Sequence, residues 1–403
     1  MSVYILGGYQ SDFARNLARA EQGIDLLARE CVEGALQDAG LEPGDVQCIH
    51  VGNAFGELFL GQAQLGALPA TVCPELWGVP AMRHEAACAS GSMAVLGAMA
   101  EIEAGRYDVA LVLGIEQERN VPGDLATAHL GAAAYIGHEA TECRYMWPHL
   151  FDRVAEEYER RYGLEHAHLA QLARKNFNNA RKNPLAQTRR WQLDERHFSD
   201  DDEHNPIVEG RLRRHDCSQL TDGAACVVLV SEAFAKGRGK LSAGLPQILG
   251  WGHRTAGLSL QQKLEHSRES PYVFPHARLA ALDALRRASM NSVRELDGIE
   301  THDCFSITEY VAIDHFGITE PGQSYRAIDS GELELDGALP MNPSGGLMGL
   351  GHPVGATGVR MLWDAARQVT GRAGDNQVRD AKRMATFNIG GSCTTVASFV
   401  VGI

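Results

Sequence analysis

The sequence predicts a layered α/β protein made of two related halves with a subdomain inserted between them. Three observations predict it: short β-branched runs alternate with helical stretches, a loop–helix–strand unit occurs twice, and the alternation breaks in the middle of the chain.

The alternation begins with the run VYILGG at Val3. It continues through a helix over Ile24 to Ala39, the run VQCIHVG, a helix after Cys88 and the run VALVLG. The repeated unit reads first as CASGSMAVLGAMAEIEAGRYDVALVLGIEQ. It reads again as GHPVGATGVRMLWDAARQVTG followed by RMATFNIGGS, which puts Cys88 and His352 at matching helix starts. A second pair has the same order. The helix ending near Gly40 leads through DVQCIHVGNAF, and a helix over Leu279 to Met290 leads through ELDGIETHDCF. From Glu116 to Ser218 loops and amphipathic helices replace the alternation, one of them carrying Leu150, Val154, Tyr158 and Tyr162 at helical spacing. The expected organisation is an N-terminal half over 1–115 and 219–240, an inserted loop subdomain over 116–218, and a C-terminal half over 241–403.

The bulk properties agree with such a fold. At 403 residues the chain exceeds what one hydrophobic core usually organises. A net charge of −14 argues against general nucleic-acid binding. Nine cysteines, an odd number without a CxxC pair, read as reduced thiols and not as a disulfide framework or a zinc site. No apolar run is long enough to span a bilayer, and Met1 leads directly into the first strand-like run with no signal-peptide pattern. The expectation is a cytoplasmic protein without a membrane partner.

Cys88 lies in AACASGSMAV, where small residues allow close approach and the following helix aims its N–H groups at the sulfur, favouring a nucleophilic thiolate. A small buried hydrophobe is the competing reading, and it is preferred for Cys31, Cys48, Cys73, Cys143 and Cys226. His352 stands in the glycine-dense NPSGGLMGLGHPVGATG. There it either takes a thiol proton and supplies an N–H to a developing oxyanion, or caps a turn. His302 and Cys304, in THDCFSITEY, follow a strand ending near Ile299, where α/β folds gather ligand-binding groups. They could hold an oxyanion and exchange a proton; taken alone, a buried Cys304 and a solvated His302 is the simpler reading.

The stretch RKNFNNARKNPLAQTRRWQL carries Arg174, Lys175, Arg181, Lys182, Arg189 and Arg190 without an acid. It reads either as a seat for polyphosphate or as a solvated face or subunit contact. Neither a P-loop nor a GxGxxG after the first strand is present. His149, His166, His168, His197 and His204 form no metal-ligand pattern with nearby cysteines, so no metal is expected.

Taken together and in order, AACASGS, HDCF, GHPVGATG and NIGGS resemble the thiolase superfamily over essentially the whole chain. HDCF resembles the motif of the sterol-carrier-protein-type thiolases. The resemblance implies a duplicated five-layered αβαβα core with an inserted loop domain, assembled as a homodimer or homotetramer. It implies acyltransferase activity on acyl-CoA thioesters: thiolysis of a 3-ketoacyl-CoA or the reverse Claisen condensation, with coenzyme A as co-substrate and no permanently bound cofactor. Cys88 would carry the acyl group, His352 would activate it, and His302 would hold an oxyanion. The N–H groups of Cys88 and Gly390 would form a second oxyanion hole, and Ser218 would lie near the pantetheine. Where common thiolases have a second cysteine, this chain has Asn388. The resemblance to the HDCF group implies that Cys304 takes over as the acid/base, with Cys393 as the alternative.

Three competing readings share parts of this pattern. Ketosynthases use a Cys-His-His set, but Cys304 argues against them. Thiolase-like retro-aldol lyases lack the nucleophilic cysteine. A noncatalytic acyl-CoA-binding scaffold would work with a small OB-fold partner protein.

Overall fold

The computed structural model describes residues 2–241 and 244–403. Ser242 and Ala243, beside the expected boundary at 240/241, and Met1 lie outside the described residues.

Eleven strands are described: β1 (Val3–Gln10), β2 (Cys48–Gly52), β3 (Ala81–His84), β4 (Val109–Glu116), β5 (Ile207–Glu209), β6 (Leu212–Arg213), β7 (Gly223–Ser231), β8 (Gln247–Thr255), β9 (Gly298–Thr301), β10 (Arg383–Gly390) and β11 (Thr395–Gly402). Nine join in the order β3-β2-β4-β7-β1-β8-β11-β10-β9, and β5 pairs with β6. The junction between β1 and β8 is the single pair Tyr4↔Gln247. On either side of it the same topology occurs twice. β1 is antiparallel to β7, β7 to β4, and β4 is parallel to β2. Likewise β8 is antiparallel to β11, β11 to β10, and β10 is parallel to β9.

The connections repeat as well. The helix Ile24–Ala39 reaches β2 through a 3-10 turn at Pro43–Asp45, and the helix Pro275–Arg287 reaches β9 through one at Val293–Glu295. This second helix begins and ends a few residues before the expected Leu279–Met290. Pro275 at its first position supplies a preset φ and needs no N–H partner, which sets the start.

Five layers result. The helix Ile24–Ala39 covers β1 and β7, and the helix Pro275–Arg287 covers β8 and β11. Between the two halves of the sheet lie the helices Ser90–Glu103 and Thr357–Val369, in contact with each other; Thr357–Val369 touches strands of both halves, and Ser90–Glu103 reaches β10 through the Ser92–Asn388 hydrogen bond. Glycine permits this approach: a Cβ on Gly91 would stand 2.8 Å from the Gly355 carbonyl oxygen, and one on Gly358 would stand 2.3 Å from the Ser92 nitrogen. Arg360, fully buried in this middle layer, is held by Glu300 at 3.1 Å and Asp364 at 3.0 Å.

The segment between β4 and β7 contributes the helices Gly123–Gly131, Met146–Tyr162 and His166–Lys182 and the β5–β6 pair. Its Leu150, Val154 and Tyr158 join one apolar cluster with Ile307 and Tyr310 of the C-terminal half. The Tyr158 hydroxyl donates to Asp314 at 2.7 Å. Tyr162, expected on the same stripe, is exposed and donates to the Pro271 carbonyl instead. No helix among the described residues is long and apolar enough to cross a membrane.

Candidate active site

The two central helices begin side by side, and each is entered through a 3-10 turn, Ala87–Ala89 and Val354–Ala356. Cys88 lies inside the first turn and His352 two residues before the second, so their settings match while their positions do not. Ala87 has φ +50°, a left-handed conformation costly for a residue with a Cβ, and it holds the loop that presents Cys88. His302 follows β9 and Cys304 comes two residues later, on the C-terminal side of the sheet. The Cys88 sulfur and one ring nitrogen each of His302 and His352 lie within 4.8 Å of one another. The two imidazoles meet edge to face, with centroids 5.2 Å apart.

Hydrogen bonds fix opposite tautomers on the two rings. Thr357 Oγ1 donates to the Pro353 carbonyl at 3.1 Å, so it accepts from His352 Nδ1–H at 2.7 Å. His352 Nε2 is left as a lone pair. On the other ring, Asn388 Nδ2 donates to the Cys88 carbonyl at 3.1 Å while Ser92 Oγ donates to Asn388 Oδ1 at 2.7 Å, which orients the amide. Asn388 Nδ2 therefore also donates to His302 Nδ1 at 3.1 Å, and the His302 proton sits on Nε2. The site offers one imidazole as a base and the other as an N–H donor. A metal is not what this trio suits, because His302 has its lone pair committed to Asn388.

Burial controls the charges. It pushes the Cys88 thiol up to about 12, aided by the neighbouring carboxyl of Glu118 and opposed by the N–H groups of Gly391 and Cys88 that face the sulfur. Desolvation thus opposes the thiolate expected at a helix start. Burial also lowers His352 to about 3, with the Arg360 cation adding to the effect. His302 is held well below the ordinary histidine range by burial, then by His352 and Arg360. The resting trio is a neutral thiol and two neutral imidazoles.

A pocket of about 220 Å³ opens onto Cys88. Cys304, Ser218, His352 and Glu118 line it, together with apolar Phe55, Leu130, Trp147, Phe151 and Phe305. Leu130, Trp147 and Phe151 come from the segment between β4 and β7. Burial, then the nearby Cys88, raises the Cys304 thiol well above its usual range, so it too is protonated. Cys393 is buried and does not line the pocket; burial pushes it up to about 12. Ser218 is tied to the same loop, its N–H donating to the Cys304 carbonyl at 2.8 Å. Gly390 packs beneath the Cys88 loop, where a Cβ would lie 2.2 Å from the Ala86 carbonyl oxygen. The N–H facing the sulfur belongs to Gly391, one residue further on.

Two residues take on parts in the site that the sequence motifs do not assign them. Asn388 marks where a second thiol is missing, yet it joins the Cys88 loop to His302. Glu118 lies just beyond β4 with its carboxyl in the pocket wall, accepting the Val354 N–H at 2.8 Å. Burial, with Glu116 beside it, raises it well above the usual carboxylate range. Only its place past the end of a central strand hints at it.

The basic stretch is largely consumed by the fold. Lys175 is buried against Glu309 at 2.8 Å, Arg174 pairs with Glu195, Arg189 with Asp12, and Arg181 donates to the Leu193 carbonyl. Lys182 and Arg190 are exposed.

A family model for the thiolase N-terminal domain matches residues 3–233, and one described as thiolase C-terminal domain-like matches residues 259–403. Acetyl-CoA acetyltransferase of Methanothermobacter thermautotrophicus is 32% identical over 364 residues, covering 90% of each chain. Sterol carrier protein 2 of Gallus gallus is 29% identical over 423 residues, covering 99% of this chain and 72% of its own. Among solved structures, the Ltp2-ChsH2(DUF35) aldolase superposes with a TM-score of 0.78 at 20% identity, covering 100% of this chain and 97% of that one.

Proposed function

The chain belongs to the thiolase family, and on that premise we propose that it is an acyltransferase working through an acyl-Cys88 intermediate on 3-ketoacyl-CoA or, in reverse, on two acyl-CoA molecules. The observation that carries the residue assignments is the pair of opposite tautomers within 4.8 Å of the Cys88 sulfur.

His352 Nε2 takes the Cys88 proton as the sulfur attacks the C3 carbonyl. The neutral resting pair makes this transfer concerted with attack, since a separated thiolate and imidazolium would stand desolvated. The C3 oxyanion is held by the N–H groups of Cys88 and the Gly390–Gly391 turn. As it collapses, the C2–C3 bond breaks and leaves the acyl group on Cys88. His302 Nε2–H holds the enolate oxygen of the departing thioester, and the Cys304 thiol protonates its C2. Coenzyme A then gives its thiol proton to the Cys304 thiolate and attacks the acyl-Cys88 carbonyl. The Cys88 sulfur leaves and recovers its proton from His352, so the cycle closes without net charge.

Coenzyme A enters as co-substrate; Ser218 at the pocket wall supports a place for its pantetheine, and exposed Lys182 and Arg190 are what the basic stretch leaves for its phosphates. A homodimer or homotetramer is part of the proposal, supported by the exposed outermost strand β3. The proposed division of the chain is 1–115 with 219–240, 116–218 and 241–403, supported by the repeated strand order on either side of Tyr4↔Gln247.

The test is thiolysis of acetoacetyl-CoA by the purified chain with added coenzyme A. Activity is expected, and Cys88→Ala is expected to lose it; unchanged activity in that variant would overturn the nucleophile. Coenzyme A binding without turnover would favour a scaffold that needs a small OB-fold partner.

A further inference from the structure

At the other end of the helix that starts beside Cys88, a second cluster of chemically reactive side chains has no part in the acyl transfer. Strand alternation in β2 turns Cys48 and His50 to one face, toward the helix Ser90–Glu103. On that helix Gly97 makes room for imidazole, since a Cβ there would lie 2.7 Å from His84 Cε1 and 3.0 Å from His50 Nδ1. Glu101 follows one turn later. The Cys48 sulfur, a His50 ring nitrogen and a Glu101 carboxylate oxygen all lie within 4.8 Å of one another. Cys48 is 2% exposed and His50 0%, and the Glu101 carboxyl reaches in from the rim.

We propose that Cys48, His50 and Glu101 form a binding site for a divalent transition metal of zinc's chemical class, with His84 orienting His50 from behind. His50 Nε2 stands 3.3 Å from Glu101 Oε2. That is close to the separation of two ligands held tetrahedrally about 2.0–2.1 Å from a zinc ion. A thiolate, an imidazole and a carboxylate together favour zinc or cobalt over magnesium or calcium, which prefer all-oxygen ligands. His84 Nε2, 2.9 Å from His50 Nδ1, supplies the outer hydrogen bond that metal-bound histidines use to fix their ring. Arg106 approaches the other Glu101 oxygen, Oε1, at 4.0 Å and leaves Oε2 facing His50. A water completes a four-coordinate shell through the partly open Glu101 side.

The protons balance. Without metal, His50 Nε2–H donates to Glu101 and its Nδ1 accepts from His84 Nε2–H. With metal, His50 ligates through Nε2 and carries its proton on Nδ1, donating to His84, whose proton moves to Nδ1. The Cys48 thiol proton is the one released for each metal bound. The metal would clip β2 to the C-terminal end of the helix whose other end presents Cys88.

The test is a cobalt(II) titration of the full chain, stripped with chelator, in a Cys88→Ala background so that the catalytic thiol gives no signal. One equivalent is expected to bind with a sulfur-to-cobalt charge-transfer band and the visible bands of a tetrahedral ion. Cys48→Ser in the same background is expected to lose the charge-transfer band with circular dichroism unchanged. His84→Ala is expected to keep the band and to weaken binding about 10- to 100-fold. Absence of the band in Cys88→Ala, or its survival in the Cys48→Ser variant, overturns the site. Should Cys48→Ser not fold, Glu101→Gln replaces it: weaker binding is expected, and undiminished affinity overturns the proposal.

Discussion

Asn388 donates its side-chain amide to His302 Nδ1 at 3.1 Å and to the Cys88 carbonyl at the same distance, so one residue sets both the tautomer of an imidazole and the seat of the nucleophile. The His302 proton is thereby placed on Nε2, available to a developing enolate. Asn388→Ala frees the ring and removes that bias. The expected effect is a fall in kcat of about 10²–10³, the size usual for losing one oxyanion donor. Steady-state thiolysis measures it, and activity within twofold of the parent would mean that His302 needs no such lock.

Thr357 does the reverse for His352, accepting its Nδ1–H. Thr357→Val leaves that buried N–H unpaired, at a cost of about 1–3 kcal/mol. Acylation of Cys88 in a single-turnover assay is expected to slow by at least tenfold, with thermal stability reduced. An unchanged acylation rate would show that the ring holds its tautomer without Thr357.

Cys304 and Cys393 separate by geometry, since only Cys304 lines the pocket. In Cys304→Ala the exchange of acetyl-CoA α-protons with solvent is expected to fall by about 10²–10⁴, while Cys88 still becomes acylated. Cys393→Ala is expected to leave exchange intact. The opposite pattern, followed by proton NMR in heavy water, would move the acid/base role to Cys393.

Stability is expected to depend on pH through His352. Its folded value, about 3, lies below the ordinary 6.5, so the unfolded chain binds a proton that the folded site refuses across that window. The contribution is fully present above 6.5 and is lost as pH falls toward 3. Glu116, raised to about 7 chiefly by burial, acts in the opposite sense: its contribution is lost as pH rises from 4.5 toward 7. Comparing melting temperatures of the parent and His352→Gln across the acid range isolates the histidine. A shallower fall is expected in the variant, and identical slopes would contradict a depressed His352.

Much of this was legible in the sequence because it rests on local backbone chemistry. The helix Ile24–Ala39 and the two loop–helix starts carry periodicity and glycine signals, and the repeated order around Tyr4↔Gln247 is the physical form of the repeated segments. Other features depend on contacts between distant residues, which no local pattern records. Desolvation at Cys88 opposes the charge expected from its helix start. The cations of the basic stretch find Glu309, Asp12 and Glu195 only after folding. Asn388 gains its meaning from Ser92 and His302, far from it in the chain, and Glu118 from the walls of the pocket.

The most direct measurement is mass spectrometry of the chain after incubation with acetyl-CoA and rapid acid quench, followed by peptide mapping. One acetyl group is expected, carried on the peptide containing Cys88 and released when coenzyme A is added before the quench. A stable protein with no acetyl group, or one bearing it on Cys304 or Cys393, would contradict the acyl-Cys88 intermediate.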